Sequence, residues 1–420
     1  MEMRNYTKVF KKLYGTDSRV LTEQIRRYQR LDDEFLRLFD KQERFFFSTP
    51  GRTELSGNHT DHNHGCVLAA SVNLDSIAVA SKNNTQKIVL HSEGFFRPFE
   101  VDLKFLEVDE KEKGTTTALI RGIAARFAEL GYQTGGFSAC MTSDVLPGSG
   151  LSSSASVEVL IGSIFNHLFN DGKIPTETIA KIGQYAENEY FGKPCGLMDQ
   201  MACAVGGIIA IDFENPLQAQ VEPITFDFNG EQYSLLIVDT GGNHADLTDD
   251  YASIPAEMKA VSAQLNKSTL RELQEDKVIE NLAELRNSVG DRAILRALHY
   301  FEENKRVLKQ TEALKTGDFQ KFLELIKLSG ISSFRWLQNI YTIKNVREQG
   351  VSLALALTEK YITEIGEGAC RIHGGGFAGT IQVFLPLQKV SGFKRLIEPV
   401  FAKEGIQELS IRPVGTVQII

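Results

Sequence analysis

The segment of this sequence best suited to chemistry is a glycine- and serine-rich turn at residues 148–155. It reads Gly148, Ser149, Gly150, Leu151, Ser152, Ser153, Ser154 and Ala155. Glycines let the backbone approach an anion, hydroxyls donate hydrogen bonds or bind a metal, and the N-terminus of a helix attracts negative charge. Apolar residues at helical spacing follow, from Val157 to Leu168. A flexible linker is the competing interpretation, but the apolar Val145 and Leu146 before the turn favour a phosphate cradle.

The turn lacks the lysine of the most common phosphate-binding motif. No G-x-x-x-x-G-K-[ST] occurs in the chain. The strand–GxGxxG–helix unit that binds dinucleotides is absent as well. A positively charged side chain from elsewhere in the sequence must therefore neutralise a bound phosphate.

A second polar segment runs from Gly51 to Gly65, and its short side chains can hydrogen-bond several hydroxyls at once, as sugar sites do. It contains His59, Asp61, His62 and His64. These residues could instead bind zinc, but their spacing does not place them on one helical face and no H-E-x-x-H or C-x-x-C motif supports them. A third interpretation is a turn whose side chains satisfy backbone groups.

Two acidic residues further along the chain could complete a catalytic site. Glu187 lies near the predicted end of a helix that begins around Thr178, and Asp199 follows a glycine-containing loop within Gly192–Gln200. One carboxylate could hold a metal ion while the other accepts a proton. A lone acidic residue in such a place is more often an exposed charge or a helix cap, and the spacing by itself does not decide between these interpretations. The glycine-rich bend at Gly368–Thr380 is weak evidence by itself.

Composition favours a protein that acts on small molecules. The 420 residues are 42% hydrophobic, which is enough for sizeable cores. Their net charge of −8 means that the surface would repel nucleic acid and anionic lipid. Five cysteines without paired spacing favour reduced thiols over disulfides. No apolar leader and no window of about 18 apolar residues is found. We therefore expect a cytoplasmic protein that binds neither nucleic acid nor a membrane.

The elements that must position these residues are predicted as two α+β halves with a cleft between them. Residues 1–45 are predicted as a helical extension, and strand patterns follow from Phe45 to about Val101. A helix that ends at Gly131 and a strand at Phe137–Met141 lead to the phosphate turn. A strand at Gly207–Phe213 closes the first half.

The second half begins at about residue 215. We predict a strand at Leu235–Asp239 and long helices between about 254 and 348. Strands at Thr380–Phe384 and Ile411–Ile420 follow.

Four segments, in this order, resemble the signatures of the GHMP small-molecule kinases, and among them the galactokinases. Residues 51–65 are similar to the sugar signature G-R-x-N-L-I-G-E-H-T-D-Y-N-x-G, and residues 148–155 to the phosphate loop of the family. Cys195–Gln200 is similar to C-G-I-M-D-Q, and Gly374–Gly379 to a late glycine motif. The resemblance extends from about residue 45 to the C-terminus.

The resemblance implies an α+β fold of the GHMP kinase type. A ribosomal S5 domain 2-like N-terminal domain would span residues 1–214, including the extension 1–45, and a ferredoxin-like C-terminal domain would span residues 215–420. The active site would lie between them, in a monomer. The implied function is that of an ATP-dependent sugar 1-kinase, which uses ATP and Mg²⁺ to phosphorylate the anomeric hydroxyl of galactose.

The resemblance also implies roles for individual residues. Asp199 matches the catalytic aspartate, and Arg52 matches the basic residue that stabilises the transferring phosphoryl group, which would supply the missing positive charge. Ser154 and Glu187 match the Mg²⁺ ligands. The positions that match sugar contacts are Asn58, His59, Asp61, Gly196, Asp199 and Tyr251. The positions that match nucleotide contacts are Gly148, Ser149, Gly150, Leu151, Ser152, Ser153 and Ser154 around the phosphates and Ser92 near the nucleoside.

The sequence departs from the family pattern beside the sugar. Asn58 stands where galactokinases carry a glutamate that accepts a hydrogen bond from the C6 hydroxyl of galactose. Loss of that bond should cost about 1–3 kcal/mol of binding energy. His62 replaces a tyrosine and His64 is an added imidazole, while Leu146-Pro147 inverts the usual order and Ala378 replaces a glycine. These changes bear on which sugar is used more than on the reaction.

Two alternatives to a galactose kinase therefore stay open. One is a kinase of a related sugar altered at C6 or C5, such as galacturonate, arabinose or galactosamine. The other is a non-catalytic regulator of the same fold that binds sugar and ATP. Retention of the matching catalytic and metal-binding positions argues against the regulator, because a sensor needs no proton acceptor.

Overall fold

A computed structural model describes residues 7–40, 43–145, 150–228, 230–242, 247–403 and 405–419. Its strands are β1 (Phe45–Ser56), β2 (Cys66–Lys82), β3 (Lys87–Ser92), β4 (Phe99–Asp102), β5 (Phe137–Ser143), β6 (Ile208–Asp212), β7 (Gln220–Ile224), β8 (Tyr233–Asp239), β9 (Ala369–His373), β10 (Thr380–Pro386), β11 (Ile406–Leu409) and β12 (Val417–Gln418). Its helices are α1 (Thr7–Tyr14), α2 (Ser18–Phe39), α3 (Thr116–Glu129), α4 (Ser153–Phe169), α5 (Thr176–Tyr185), α6 (Met198–Val205), α7 (Thr248–Gln264), α8 (Glu275–Glu280), α9 (Leu282–Ser288), α10 (Asp291–Thr316), α11 (Phe319–Ser332), α12 (Gly350–Ile365) and α13 (Leu387–Phe401).

The first sheet has the strand order β12-β1-β2-β5-β3-β4, with β6 paired to β2 and β7 paired to β6. The long strand β2 organises it, because residues 66–70 pair with β6, residues 76–82 pair with β5, and β1 runs along the other edge. Strand β7 follows the division expected at residue 214, and β12 comes from the end of the chain. The first sheet therefore takes strands from both halves of the sequence.

Helices cover both faces of this sheet, as the alternation of side chains along β2 requires. Ala78 and Ala80 belong to the core beneath α3, α4, α5 and α6. Ile77 and Val79 point to the opposite face, where they join a core formed with α1 and α2 that includes the fully buried Phe35. The N-terminal extension consequently closes a face that would otherwise expose apolar side chains to water.

The second sheet has the order β11-β8-β10-β9, and its described pairs are antiparallel. Val238 and Ile381 pack on α12 and α13 on one face. On the other face, Ile237 and Phe384 share a core with Leu55 of the first sheet and with α10 and α11. The two sheets are thus joined by one continuous apolar cluster, with the glycine bend between β9 and β10 at its edge.

The strand predicted over residues 411–420 is wrong in extent. Ile411 forms only an isolated bridge, and β12 is two residues long. Pro413 removes a backbone donor between them, and the guanidinium of Arg412 takes up two nearby carbonyls that a continuous strand would need for pairing.

A buried ionic cluster around Asp75 of β2 joins helix α2 to the segment that carries Arg412. Arg27 Nη1 of α2 donates to Asp75 Oδ1 at 2.6 Å, and Arg412 Nη1 donates to Oδ2 at 2.9 Å. Tyr14 and Ser48 donate to the same Oδ2. Burial acts to raise the pKa of Asp75, but the two guanidinium groups and these hydrogen bonds outweigh it and hold the pKa below its usual value.

Arg27→Met is expected to lower the free energy of unfolding by about 3 kcal/mol, because it leaves the buried Asp75 with one guanidinium partner in place of two. Arg37→Met on the same helix is the matched control, since Arg37 pairs with Glu34 on the surface, where solvent screens the pair and its loss should change the stability little. Urea unfolding of the two variants measures both values. Equal losses would show that the buried pair has no special weight.

The same cluster should make stability depend on pH. The pKa of Asp75 is lower in the folded chain than in the unfolded chain, so its stabilisation is complete above about pH 4 and is lost as the pH falls through the folded pKa. The difference in unfolding free energy between wild type and Arg27→Met, measured by urea unfolding, should accordingly become smaller as the pH is lowered below about 4.

Candidate active site

The described part of the phosphate turn, residues 150–154, leads directly into α4. Gly150 has a φ of +73°, and a Cβ there would press against side chains at the ends of β9 and β10. Ser152, just before the helix, also has left-handed backbone geometry with a φ of +57°. This shape presents the first N–H groups of α4 toward the cleft, as an anion site requires. Gly148 and Ser149, also expected in the cradle, lie outside the described residues.

Arg52 is fixed between this turn and Asp199. Its Nε and Nη2 donate to the two carboxylate oxygens of Asp199, each at 2.7 Å. Its Nη1 donates to the Gly150 carbonyl at 2.5 Å, and its backbone N–H donates to the Leu151 carbonyl at 3.0 Å. An irregularity of β1 at Pro50 redirects the strand at this point. The cation that the turn itself lacks therefore comes from β1.

Asp199 lies in the first turn of α6 and faces the phosphate turn. The hydroxyl of Ser152 donates to Asp199 Oδ2. Burial acts to raise the pKa of Asp199, but the charge of Arg52 and the hydrogen bonds from Arg52 and Ser152 hold it below its usual value. Because its side chain is still 30% exposed, this ionised carboxylate can receive a proton from a hydroxyl in the cleft.

Glu187 and Ser154, which are the predicted Mg²⁺ ligands, are in direct contact. Ser154 Oγ donates to Glu187 Oε1 at 3.1 Å. Gln200 Nε2 donates at 2.9 Å to Glu187 Oε2 and also to Glu158 Oε2, which orients the Glu187 carboxylate. Burial and the nearby Glu187 raise the pKa of Glu158 well above its usual value, which favours a neutral carboxyl there. A hydroxyl and a carboxylate are hard oxygen donors that fit Mg²⁺, which keeps waters and phosphate oxygens in its other positions.

The backbone around Glu187 differs from the predicted helix. Helix α5 begins at Thr176, close to the expected Thr178, but it continues into a π-helical turn at Ala186–Phe191. Such turns are frequent at functional sites because the wider turn redirects a side chain. Gly192 closes this one with a φ of +82°, and the chain then passes into the loop that carries Lys193.

Four of the expected sugar positions lie on three segments, two of which contact the glycine bend between β9 and β10 while the third contacts Asp61. A Cβ on Gly196 would overlap the carboxylate of Asp61, so the absence of a side chain there lets the two loops touch. His59 Nε2 lies 2.9 Å from the carbonyl oxygen of Gly375, and the hydroxyl of Tyr251 donates to the carbonyl of the next residue at 2.9 Å. The structure thus brings together four of the predicted sugar residues.

The imidazoles of this loop do not form a metal centre. Within the described ranges, no group of three or more His, Cys, Asp or Glu side chains is arranged to hold a metal ion. His59 and His62 stack with ring centroids 6.1 Å apart. Burial, with a smaller contribution from His62, lowers the pKa of His59 to about 3, so this ring is neutral near pH 7.

Ser92 lies at the end of β3, where it pairs with Met141 of β5. Strand β5 ends two residues later, just before the phosphate turn. The predicted nucleoside position therefore lies at the end of the first sheet from which the chain continues into the phosphate turn.

Comparisons with known proteins agree with this geometry. The model of the GHMP kinases N terminal domain matches residues 118–207, and that of the galactokinase galactose-binding signature matches residues 33–82. A galactokinase of Glaesserella parasuis serovar 5 is 31% identical over 368 residues, which cover 86% of this chain and 90% of that protein. The chain belongs to the galactokinase family.

Other galactokinases and kinase structures are also similar to this chain. A galactokinase of Lacticaseibacillus paracasei is 31% identical over 360 residues, or 82% of this chain and 86% of that protein. The crystal structure of Lactococcus lactis galactokinase complexed with galactose covers 92% of this chain and 98% of its own, with a TM-score of 0.78 and 25% identity. Methanococcus jannaschii mevalonate kinase, at 16% identity and a TM-score of 0.62 over 88% of this chain and 99% of its own, shares the fold.

These matches confirm the predicted family and the GHMP kinase fold. The protein is a phosphotransferase that acts on a sugar hydroxyl. Its described helices include none that is both long and apolar enough to cross a membrane.

The side chain of Asn58, a residue predicted among the sugar contacts, is buried and hydrogen-bonded within the protein. Its side chain is 1% exposed, and its amide is fully engaged. Nδ2 donates to Glu54 Oε1 at 3.0 Å and to the Gly374 carbonyl at 2.8 Å, while Oδ1 accepts from Asn339 Nδ2 at 2.8 Å. With these partners the side chain has no polar atom left for a sugar, so we move Asn58 from the sugar contacts to the residues that hold the loop.

The galactokinase signature shows that the carboxylate it has at position 58 is present in this chain at position 54 instead. That signature has asparagine and glutamate at the positions of Glu54 and Asn58, so the two residue types are exchanged in this chain. Their side chains touch, and Arg371 Nη2 donates to the same Glu54 oxygen at 2.7 Å. The carboxylate therefore lies four positions earlier in the sequence, at Glu54, where it forms a buried ion pair with Arg371. Comparing both positions of the signature at once would have revealed the exchange.

Helix α10 supplies residues that sequence patterns did not single out. Its side chains bind the backbone of residues 57–66, here called the sugar loop. His299 Nε2 lies 3.0 Å from the carbonyl of Asn58, and Glu303 accepts from the Gly57 N–H at 3.1 Å. Tyr300 and Asn304 bond two more backbone groups of the same loop. The spacing i, i+1, i+4, i+5 puts all four on one face, but a polar stripe of this kind usually indicates a solvated surface.

Proposed function

We propose that this protein transfers the γ-phosphoryl group of ATP to the anomeric hydroxyl of galactose, giving galactose 1-phosphate and ADP. The observation that supports this best is the contact of Asp199 with both Arg52 and Ser152, because it joins a proton acceptor, a cation and the phosphate turn in one place. Phosphoryl transfer needs these three elements held in line with the attacking hydroxyl.

Asp199 is the proposed proton acceptor. The sugar oxygen forms a bond to phosphorus while the bond from phosphorus to the β-phosphate oxygen breaks, and the hydroxyl proton passes to Asp199. A carboxylate with a lowered pKa is a weak base, so we expect the proton to move late, when the attacking hydroxyl has become acidic in a loose transition state. Arg52 orients the carboxylate and places positive charge beside the transferring group.

The nucleotide would lie along the phosphate turn. The N–H groups of residues 150–154 would bind its phosphates, and Ser92 marks the edge where the nucleoside is expected. Ser154 and Glu187 would hold Mg²⁺, which when bound neutralises the charge on the phosphate oxygens.

The sugar would lie against His59, Asp61, Gly196 and Tyr251. Asp61 can accept hydrogen bonds from sugar hydroxyls, and the neutral ring of His59, whose Nε2–H donates to the Gly375 carbonyl, can accept at Nδ1 without adding charge. Gly196 leaves space beside Asp61 that any side chain would fill. The sugar would thereby reach Asp199, which follows Gly196 by three residues.

We further propose that the active site lies between two domains, residues 1–214 and 215–420, in a monomeric cytoplasmic enzyme. The meeting of the phosphate turn with β9 and β10 at Gly150 supports a site at this junction. Pairing of β7 and β12 with the first sheet indicates that the second half of the sequence contributes two strands to the N-terminal domain.

A second candidate is a kinase of a galactose-like sugar altered at C6. It is favoured by the neutral, buried Asn58 and by the burial of Glu54, since both remove negative charge from the cleft and with it the repulsion of a C6 carboxylate.

A coupled assay of ADP release with Mg-ATP should separate these functions. We expect the highest kcat/KM with galactose among galactose, galactosamine, galacturonate, arabinose and glucose. Higher kcat/KM with galacturonate would favour the second candidate. Absence of turnover on every sugar, with thermal stabilisation by galactose and ATP retained, would overturn the kinase proposal in favour of a binding protein.

A further inference from the structure

Lys193 is a cation of the cleft to which neither the phosphate turn nor the family resemblance assigns a role. Its Nζ lies 3.2 Å from Glu187 Oε1, the same oxygen that accepts the Ser154 hydroxyl at 3.1 Å. The Lys193 side chain is 63% exposed whereas that of Glu187 is 3% exposed. The ammonium therefore approaches a buried carboxylate from the solvent side of the cleft, on a flexible stem.

The other cation of the site is already committed. Three N–H groups of Arg52 are bonded to Asp199 and to the Gly150 carbonyl. Lys193 instead bonds Glu187, and its charge also acts on other groups of the site. Burial raises the pKa of Tyr251 to about 12 against the opposing effect of Lys193, and Lys193 also contributes to lowering the pKa of Asp199. Lys193 thus contacts the proposed metal ligand, and its charge acts on the proposed proton acceptor and on one sugar contact.

A Mg²⁺ ion held by Ser154 and Glu187 would compete with the Lys193 ammonium for the same carboxylate, because the two cations repel each other. The ammonium would then be drawn toward another anion. In the proposed reaction that anion is a phosphate oxygen of the nucleotide, bound at the turn that carries Ser154, and lysine is well suited to bind phosphate as a point charge on a flexible stem.

We propose that Lys193 is a further catalytic residue, which neutralises Glu187 in the free enzyme and binds a phosphate oxygen of the metal–nucleotide complex. This inference rests on the proposed kinase function. It accounts for a phosphate turn without its own lysine, because the ammonium arrives from the loop that follows the π-helical turn.

The competing role is structural: Lys193 would only offset the charge of Glu187 and its neighbour Glu158. A structural role predicts a loss of stability on removal of the ammonium, with nucleotide binding unchanged. Direct contact with phosphate predicts the reverse, since the side chain is mostly exposed and contributes little to packing.

The test compares Lys193→Met, Lys193→Arg and Lys113→Met with wild type. Lys113 is the matched control because its side chain lies beside Gly192 on the same rim but pairs with Glu110 at 2.7 Å. Isothermal titration calorimetry with Mg-ADP measures nucleotide affinity without turnover. Steady-state assays give kcat and KM for ATP and galactose, and thermal unfolding gives Tm.

We expect Lys193→Met to weaken Mg-ADP binding about tenfold or more and to lower kcat/KM for ATP by about 10- to 100-fold, the range of a charge-assisted hydrogen bond. The KM for galactose and the Tm should change little, Lys193→Arg should recover part of the loss, and Lys113→Met should match wild type. Unchanged Mg-ADP affinity in Lys193→Met, or an equal loss in Lys113→Met, would overturn the proposal. If wild type itself turns over no sugar, the kinase function fails, but the calorimetric comparison still decides the role of Lys193.

Discussion

An Asp199→Asn enzyme is expected to turn over galactose about 10²- to 10⁴-fold more slowly than wild type, which is the range for loss of a general base. The amide oxygen of asparagine can still accept a hydrogen bond from Arg52, but the amide cannot take up the hydroxyl proton. Binding of galactose and Mg-ADP should therefore change little. Coupled ADP release measures the rate, and calorimetry measures the two affinities.

The control for this substitution is Asp212→Asn. Asp212 pairs with Arg271 at 2.9 Å, and its side chain is 32% exposed, close to the 30% of Asp199. Its turnover should stay near that of wild type. A near-normal rate for Asp199→Asn would remove this residue from the mechanism, and equal losses in the two variants would indicate a general effect of breaking an ion pair.

Asn58→Glu is expected to lower the free energy of unfolding by about 3–5 kcal/mol. The substitution places a second carboxylate against the buried Glu54, removes the donor to the Gly374 carbonyl and inserts a larger side chain into a closed site. Denaturant unfolding measures the loss. A variant as stable as wild type would mean that the pocket around residue 58 opens easily to water.

The double variant Glu54→Asn with Asn58→Glu restores the order of the galactokinase signature. It should recover most of the stability that Asn58→Glu loses, because it again pairs one carboxylate with one amide. Glu54→Asn alone leaves Arg371 buried without its carboxylate, at a cost of about 3 kcal/mol. A double-mutant cycle with no coupling between the two positions would show that the exchange has no compensating effect.

The catalytic groups could be predicted from the sequence because their chemistry is carried by short motifs. The phosphate turn, Arg52 and Asp199 each belong to a contiguous signature, and the structure places all three in direct contact. The partner of each group could not be deduced from spacing alone. Arg52 and Asp199 are 147 positions apart, and only the pairing of β1 with the rest of the sheet brings them together.

The parts that could not be predicted depend on burial and on contacts between distant segments. Nothing in the local pattern around Asn58 indicates that its amide turns inward, since polar residues in a glycine-rich loop usually face water. The π-helical turn at Glu187 packs closely against Gly122 of α3, a contact between distant segments that local helix propensity does not encode. The hydrogen bonds between α10 and the sugar loop join residues more than 230 positions apart, such as Tyr300 and Asn63.

The position of Arg412 has a consequence for how the protein is made. This side chain lies 337 positions after Asp75 and completes its ion pairs, and β12 lies beside β1 at the edge of the first sheet. Until the ribosome has translated this segment, the first sheet lacks β12 and Asp75 lacks one of its two arginines. The earliest-synthesised sheet can therefore be completed only after residues 412–418 have been made, and a premature stop codon before Arg412 would leave the buried Asp75 with one guanidinium partner.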